Sequence, residues 1–258
     1  MYKFKKCLLP VIVMVIFPLL LAAQETSVQY YQLKIYSFDK DSQIPVTEDY
    51  LKTAYLPSLK KLNIKDVGIF KPKPDSLKQL FILIPFSSLK EMNTLNEKLL
   101  KDELYLENGK EYLSASFENP PYKRIEIIVM RAFKHMPFMQ PSPLNTPRKD
   151  RVYELRSYQS PTEAYFQNKL EMFNEGGEIK LFDSLGFNAV FYGEVLSGPH
   201  TPNLMYLISF PNQESHDKHW EKFGNSAEWK KMSEIAKYKN TVSHIDAHFL
   251  YPTEYSDY

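Results

Sequence analysis

Cysteine is almost missing from this 258-residue chain: there is one, Cys7, inside the first 23 residues. From Gln24 onward the chain cannot form a disulfide or hold a metal through thiolate. Glycine is scarce too, at 8 residues. No glycine-rich phosphate loop occurs, nor a Gly-x-Ser-x-Gly elbow, a His-Glu-x-x-His run or a CxxC pair. Their absence speaks against nucleotide-dependent enzymes, serine hydrolases and zincins. A strong charge of either sign is lacking, with a formal net charge of +1. Without a basic run, a nucleic-acid partner is not expected.

Long apolar runs are missing as well, apart from Leu8–Leu21, which Pro10 and Pro18 interrupt. That stretch is short for a membrane span. It follows Lys3, Lys5 and Lys6 and precedes the small residues Ala22 and Ala23, the layout of a cleaved signal peptide over residues 1–23. A retained anchor is the competing reading. Cleavage would remove three lysines and no acids, leaving 29 basic against 31 acidic residues, a net charge of about −2. The expected location is periplasmic or secreted, with no stable membrane span after cleavage.

Aromatic residues are abundant, with 18 Tyr and 17 Phe. They suit half-buried strand faces and pocket walls. Val152–Tyr158 alternates with period two and reads as a strand. Phe166, Leu170, Phe173, Gly177 and Leu181 then share a helix face, interrupted at Gly176-Gly177, and Gly186 suits a left-handed cap. Phe187–Leu196 and Leu204–Phe210 read as strands, the second stopped by Pro211. A helix carrying His216, Trp220 and Phe223 breaks at Gly224-Asn225-Ser226, and Ser226 can cap a further turn bearing Trp229 and Met232. Thr241–Leu250 is the last strand. The order is β-α-β-β-α-β, a ferredoxin-like unit.

Residues 24–133 read the same way. Val28–Phe38 is a strand. Thr47 can cap a helix through Leu51, Tyr55, Leu59 and Leu62, kinked at Pro57. Strands follow at Asp66–Lys71 and Leu80–Ile84. Ser88-Leu89-Lys90-Glu91 is a capping box that opens the next helix, and Arg124–Phe133 closes the unit. Gln32-Leu33-Lys34-Ile35-Tyr36 corresponds to Glu154-Leu155-Arg156-Ser157-Tyr158, and Arg124-Ile125-Glu126 to His244-Ile245-Asp246, at offsets of 122 and 120 residues. Such matching points to internal duplication. Residues 134–150, with Pro137, Pro141, Pro143 and Pro147, form a stiff linker between the first repeat and the second, residues 151–258.

The run Tyr153-Glu154-Leu155-Arg156-Ser157-Tyr158 resembles the first strand of the NIPSNAP family. The Gly186-Phe187 turn and the late tryptophans Trp220 and Trp229 fit as well. The first half is similar to a diverged copy, with Gln32 and Lys34 in place of Glu154 and Arg156 and no counterpart of either tryptophan. The resemblance is to the secreted bacterial two-repeat members. It implies an α+β architecture: tandem ferredoxin-like repeats that build a dimeric-α/β-barrel-type fold within one chain, a pseudo-dimer with helices outside. It brings no agreed catalytic motif and no cofactor. It leaves exposed sheet edges through which chains could pair into a homo-oligomer.

Candidate site residues come from the strands. His244, Asp246 and His248 share one strand face and could bind a metal or move protons. A polar interior wall takes precedence over metal, and no metal is expected. Glu154 and Arg156 would share that interior face, either as an anion-binding and base pair or as an ion pair that fixes register. Tyr192, Glu194 and Tyr206 are read as pocket wall. His216 and His219 lie one helical turn apart, with His216 read as a partly buried histidine. The ligand-binding set is therefore Glu154, Arg156, Tyr192, Glu194, Tyr206, His244, Asp246 and His248, with His244, His248 and Glu154 as catalytic candidates.

Three functions fit. The first is a binding protein that holds a small apolar or aromatic ligand between its sheets. The second is a cofactor-independent oxygenase or isomerase with a histidine of the last strand as base. The third is a structural or interaction protein with a filled barrel, for which Tyr251–Tyr258 could serve as a docking tail. Amino-terminal sequencing of the exported protein should begin at Gln24; a mature chain that still starts at Met1 would reject the signal peptide.

Overall fold

The computed structural model describes residues 27–258; the expected signal peptide, Cys7 included, lies outside them. The elements in chain order are β1 (Tyr30–Ser37), α1 (Gln43–Tyr50), a π-helical turn (Leu51–Tyr55), α2 (Leu56–Lys61), β2 (Gly68–Pro72) and β3 (Gln79–Phe86). Next come α3 (Leu89–Leu99), α4 (Glu103–Asn108), α5 (Lys110–Leu113) and β4 (Arg124–Ala132). The second half holds β5 (Val152–Gln159), α6 (Glu163–Asn174), α7 (Glu178–Ser184), β6 (Asn188–Ser197), β7 (Asn203–Phe210), α8 (Gln213–Asn225), α9 (Ala227–Ser233) and β8 (His244–Pro252). Each half runs β-α-β-β-α-β, with short helical pieces added.

All eight strands form one closed antiparallel barrel in the order β1-β3-β2-β8-β5-β7-β6-β4. Each half supplies four adjacent strands. The halves join where β2 meets β8, through Phe70 and Pro252, and where β4 meets β6, through Arg131 and Glu194. Closure leaves no sheet edge among these strands, so the route to oligomers through exposed edges is absent. The registers of the halves match. Lys34 pairs with Ile127 in one and Arg156 with Ala247 in the other; Lys34 also faces Ile82, and Arg156 faces Tyr206.

Three of the four apolar clusters among the described residues follow from this closure; the fourth is a small one of Met172, Met232 and Tyr238. The barrel interior is filled by side chains of both halves, among them Tyr31, Phe70, Phe81, Tyr153, Phe191 and Leu207. Behind each sheet, a second cluster joins the outer strand face to that half's helices. Large aromatics carry much of the burial: Tyr31, Tyr153 and Phe191 are completely buried.

Local chemistry explains several helix starts. Thr162, Asn212, Ser226 and Ser88 cap α6, α8, α9 and α3, each accepting from the backbone N–H three residues on. Gly177, at φ 96°, separates α6 from α7 in a conformation other residues rarely adopt. Pro57 has no N–H for the Thr53 carbonyl. The backbone answers with the π-helical turn, and Asn108 Nδ2 donates to Thr53 O at 3.2 Å.

Two expectations are corrected. Thr47 does not cap: the first helix begins at Gln43, and the buried Thr47 Oγ1 donates to Pro121 O at 2.7 Å. Nor is Tyr251–Tyr258 a free tail. Thr253 N donates to Ile69 O, Asp257 N to Val67 O and Ile69 N to Ser256 Oγ, so the segment covers the β2 backbone. Tyr258 is buried between Phe70 and Tyr153, and Arg148 of the linker donates to the carbonyls of Thr253, Ser256 and Tyr258. One end of the barrel is thus plugged by Tyr258. Phe191→Ala should destabilise the fold by about 3–5 kcal/mol, read from denaturant midpoints at unchanged slope; a loss below about 1 kcal/mol would contradict a filled interior.

Candidate functional site

The strand alternation is as expected, but the assignment of faces is not. In β5, Tyr153 and Leu155 point into the barrel, and Val152 and Tyr158 pack against the helices. Glu154 and Arg156 alternate with Tyr153 and Leu155, so they lie on the helix side. Tyr192 and Tyr206 belong to the same helix-side cluster, with ring centroids 5.7 Å apart. Glu194 lies on that outer side too and pairs with Arg131 at 2.6 Å, across the joint between the halves. The expectation that these five residues line the barrel interior is therefore corrected. Alternation separates two faces without saying which is inside, and in a covered barrel both faces are buried. His244, Asp246 and His248, on the other face of their sheet, do stand at the barrel mouth.

Of the five helix-side residues, Glu154, Arg156 and Tyr206 take part in buried polar contacts, whereas the buried Tyr192 hydroxyl has no partner among the described residues. Glu154 is 2% exposed. Its Oε2 accepts from Trp220 Nε1 at 2.7 Å and from His216 Nε2 at 3.1 Å, and Arg156 Nη1 is 3.3 Å from its Oε1. The Arg156 guanidinium also lies over the Trp220 ring, 4.5 Å from its centroid. The two charged residues of the strand motif thus hold the helix that carries Trp220. Close by, Lys169 Nζ donates to Glu178 Oε2 at 2.8 Å, with both side chains buried. Tyr206 donates to Tyr158 at 2.7 Å. Burial pushes the Glu178 carboxyl up despite the neighbouring lysine. At His216, burial pushes the imidazole down, but the bonds to Glu154 and Asp217 outweigh it and the net direction is up. His219 is turned away, donating to Ser215 O and packing on Phe187 and Phe210.

The open end of the barrel presents a different surface: a cleft of ≈ 280 Å³. Its wall is made of register-equivalent positions of the two halves. Ile35 stands opposite Ser157 in this sense, Phe81 opposite Met205, Gln79 opposite Asn203, Ile128 opposite His248 and Glu126 opposite Asp246. Pro199 and His200 of the β6–β7 loop complete the rim. The first half gives a largely apolar wall and the second a polar one. Asp246 Oδ2 accepts from Gln159 Nε2 at 2.7 Å, and its Oδ1 is 3.0 Å from His244 Nε2. His244 itself points to solvent. Burial lowers the His248 pKa against the attraction of Asp246 and Glu126, so the imidazole is neutral at neutral pH. Its ring packs 5.3 Å from that of Phe81.

The cleft residues of the first half, Glu126 above all, were not singled out from the sequence. The offset of 120 residues to Asp246 was the signal that could have found it. Among the described residues, no group of three or more His, Cys, Asp or Glu is placed to hold a metal ion, and no helix is long and apolar enough to cross a membrane.

The NIPSNAP family model matches residues 153–257. A Lactobacillus acidophilus protein described as a candidate monooxygenase superposes with a TM-score of 0.55 at 10% identity, over 87% of this chain and 94% of its own. A Fusobacterium nucleatum protein described in the same way does so with a TM-score of 0.53 at 12% identity, over 88% and 93%. A NIPSNAP family protein of Agrobacterium tumefaciens, at 19% identity and a TM-score of 0.37, covers 41% of this chain and 96% of its own. No curated protein matches the sequence. At such identities the two full-length likenesses establish the fold, a dimeric-α/β-barrel type contained in one chain.

The His216 bond gives a pH-dependent expectation. Its pKa is raised in the fold, so the stabilisation is complete below about pH 6.5 and is lost as pH rises through the folded value. Glu154→Gln should cost about 1–3 kcal/mol at mildly acidic pH and less above neutrality. It should also lower the His216 pKa in an NMR titration. An unchanged titration would mean that Glu154 does not hold the imidazole.

Proposed function

We propose, for a chain whose residues 153–257 form a NIPSNAP domain, that it is an exported binding protein. Its small, partly apolar ligand enters the open mouth of the barrel. The observation that carries this reading is the contrast between the two ends. Tyr258 plugs one of them, while the other keeps a cleft of ≈ 280 Å³ with an apolar and a polar wall. The expected site between the sheets thereby shrinks to the mouth, because aromatic side chains fill the rest. The basic and apolar start of the sequence supports export, and the matched registers of the halves support descent from a duplicated unit.

A second reading, an oxygenase or isomerase that needs no cofactor, is favoured by one observation. His248 is a neutral imidazole in the cleft, without a hydrogen-bond partner among the described residues, and so is free to accept a proton. The purely structural reading draws on the filled interior.

A fragment screen by ligand-observed NMR tests the binding reading. Ile35→Trp, which fills the mouth from its apolar wall, should abolish the hits while melting within a few degrees of the wild type. Hits that persist in that variant would place binding elsewhere, and a wild-type screen without hits would favour the structural role. Hits that are also converted, seen by mass spectrometry and lost in His248→Gln, would decide for the enzyme.

A further inference from the structure

Independently of the mouth, we propose that the groove beside the α5–β4 loop docks a short acidic segment of a partner protein, one that seats an aromatic side chain between flanking carboxylates.

The two halves close the segment before their last strand with the same backbone bond. Lys123 N donates to Ser37 O in the first and Ser243 N to Gln159 O in the second, both at 2.8 Å. In the second half that segment is packed down: Tyr238 and Thr241 are buried, and Tyr238 sits against Met172 and Met232. In the first half every residue from Leu113 to Pro120 is exposed, and Phe117 is 95% exposed. Phe117 does not stand alone. With Tyr112, Leu113, Pro120 and Tyr122 it lines a groove of ≈ 670 Å³. Contiguous apolar surface of this kind marks an interaction site.

The walls of the groove are braced from behind. Tyr112 stacks on Tyr50 at a centroid distance of 3.9 Å and donates to the Tyr36 hydroxyl at 3.2 Å. Tyr36 in turn meets the Tyr122 ring edge-on at 5.6 Å. On the other side, Gln43 Nε2 donates to Pro120 O at 2.9 Å and Thr47 Oγ1 to Pro121 O, which roots the end of the loop on α1. A partner therefore meets an aromatic floor that loses little side-chain freedom on binding.

Charge sets the chemistry of the occupant. The charged side chains of the groove are Asp39, Lys40, Lys123 and Arg124. Asp39 and Lys123 neutralise each other at 2.9 Å. Lys40 and Arg124 have no carboxylate partner among the described residues, so both cations are uncompensated. Arg124 Nη1 donates to the Lys123 carbonyl at 2.8 Å, which leaves its other N–H groups for a carboxylate. At about 30 Å³ per water molecule, the groove holds about 22 of them, room for the side chains of a short peptide. A bilayer fits less well, because the surface is concave and Glu118 stands beside Phe117.

The test titrates the full mature chain with three end-capped peptides: Asp-Glu-Phe-Glu-Asp, Asn-Gln-Phe-Gln-Asn and Lys-Lys-Phe-Lys-Lys. Affinities come from calorimetry at low salt, and backbone amide shifts locate each peptide. The acidic peptide should shift the amides of Tyr112 to Arg124 and bind about tenfold more tightly than the neutral one. The lysine peptide should not bind. Phe117→Ser, at an exposed position, should melt like the wild type and weaken the acidic peptide by about tenfold or more. Lys40→Gln and Arg124→Gln should each weaken it by about two- to fivefold and leave the neutral peptide within about twofold. Equal affinity for the acidic and neutral peptides would overturn the acidic partner. Silence of the groove amides with all three would overturn the peptide site. So would Phe117-dependent binding to vesicles of phosphatidylglycerol and phosphatidylcholine in place of the peptide, or a concentration-dependent dimer that Phe117→Ser abolishes.

Discussion

Closure of the sheet is the constraint on which the rest of this molecule depends. Eight strands joined through β2–β8 and β4–β6 leave no edge, and they give every strand an inner face and an outer face, the outer one covered by helices over much of each half. Because four strands come from each half, the barrel that two chains would otherwise build is completed within one. The cost is a doubled demand for apolar side chains, since three clusters must be filled where an open sheet would need one. The aromatic richness of the sequence answers that demand. Tyrosine and phenylalanine cover large areas, and tyrosine can keep a polar tip where the packing allows it.

The same closure divides the polar residues between two tasks. Behind the second sheet, Glu154 gathers Trp220, His216 and Arg156, and Lys169 is paired with Glu178. These charges are buried and matched to one another. Removing one partner of such a set leaves the other uncompensated, so they tie helices α6 to α8 to the sheet in one arrangement. At the mouth, Asp246 is oriented but not neutralised by a lysine or arginine, Glu126 is unpaired, and Asn203 keeps a free acceptor. The charges behind the sheet are matched to one another, and those at the mouth are not. The motif that marks the family belongs to the first group.

Local signals were legible wherever the chemistry is local. Ser88 and Ser226 are caps in the structure as in the sequence, and Gly177 and Gly186 adopt positive φ. The strand order of both halves was also readable, because period two and period 3.6 leave different marks. Thr47 misled because a hydroxyl ahead of an apolar run caps a helix only if the chain has not already turned. The helix starts four residues earlier, and Pro121, distant in sequence, takes the hydrogen bond. The acidic, aromatic tail read as a docking segment for a similar reason: nothing near it in sequence shows that β2 has a backbone to be covered.

By itself, the sequence determined the elements, their order, the equivalence of the halves and the presence of a polar strand face in β8. Those properties follow from spacing and from residue chemistry within a few positions. Only the tertiary structure decided which face of each strand looks into the barrel. It alone put Glu154, Arg156, Tyr192, Glu194 and Tyr206 outside, and brought Glu126 and Asn203 to the mouth beside Asp246 and His248. The physical reason is that a strand buried on both sides carries the same period on either face. Inside and outside are assigned only when the sheet closes and its helices settle against it.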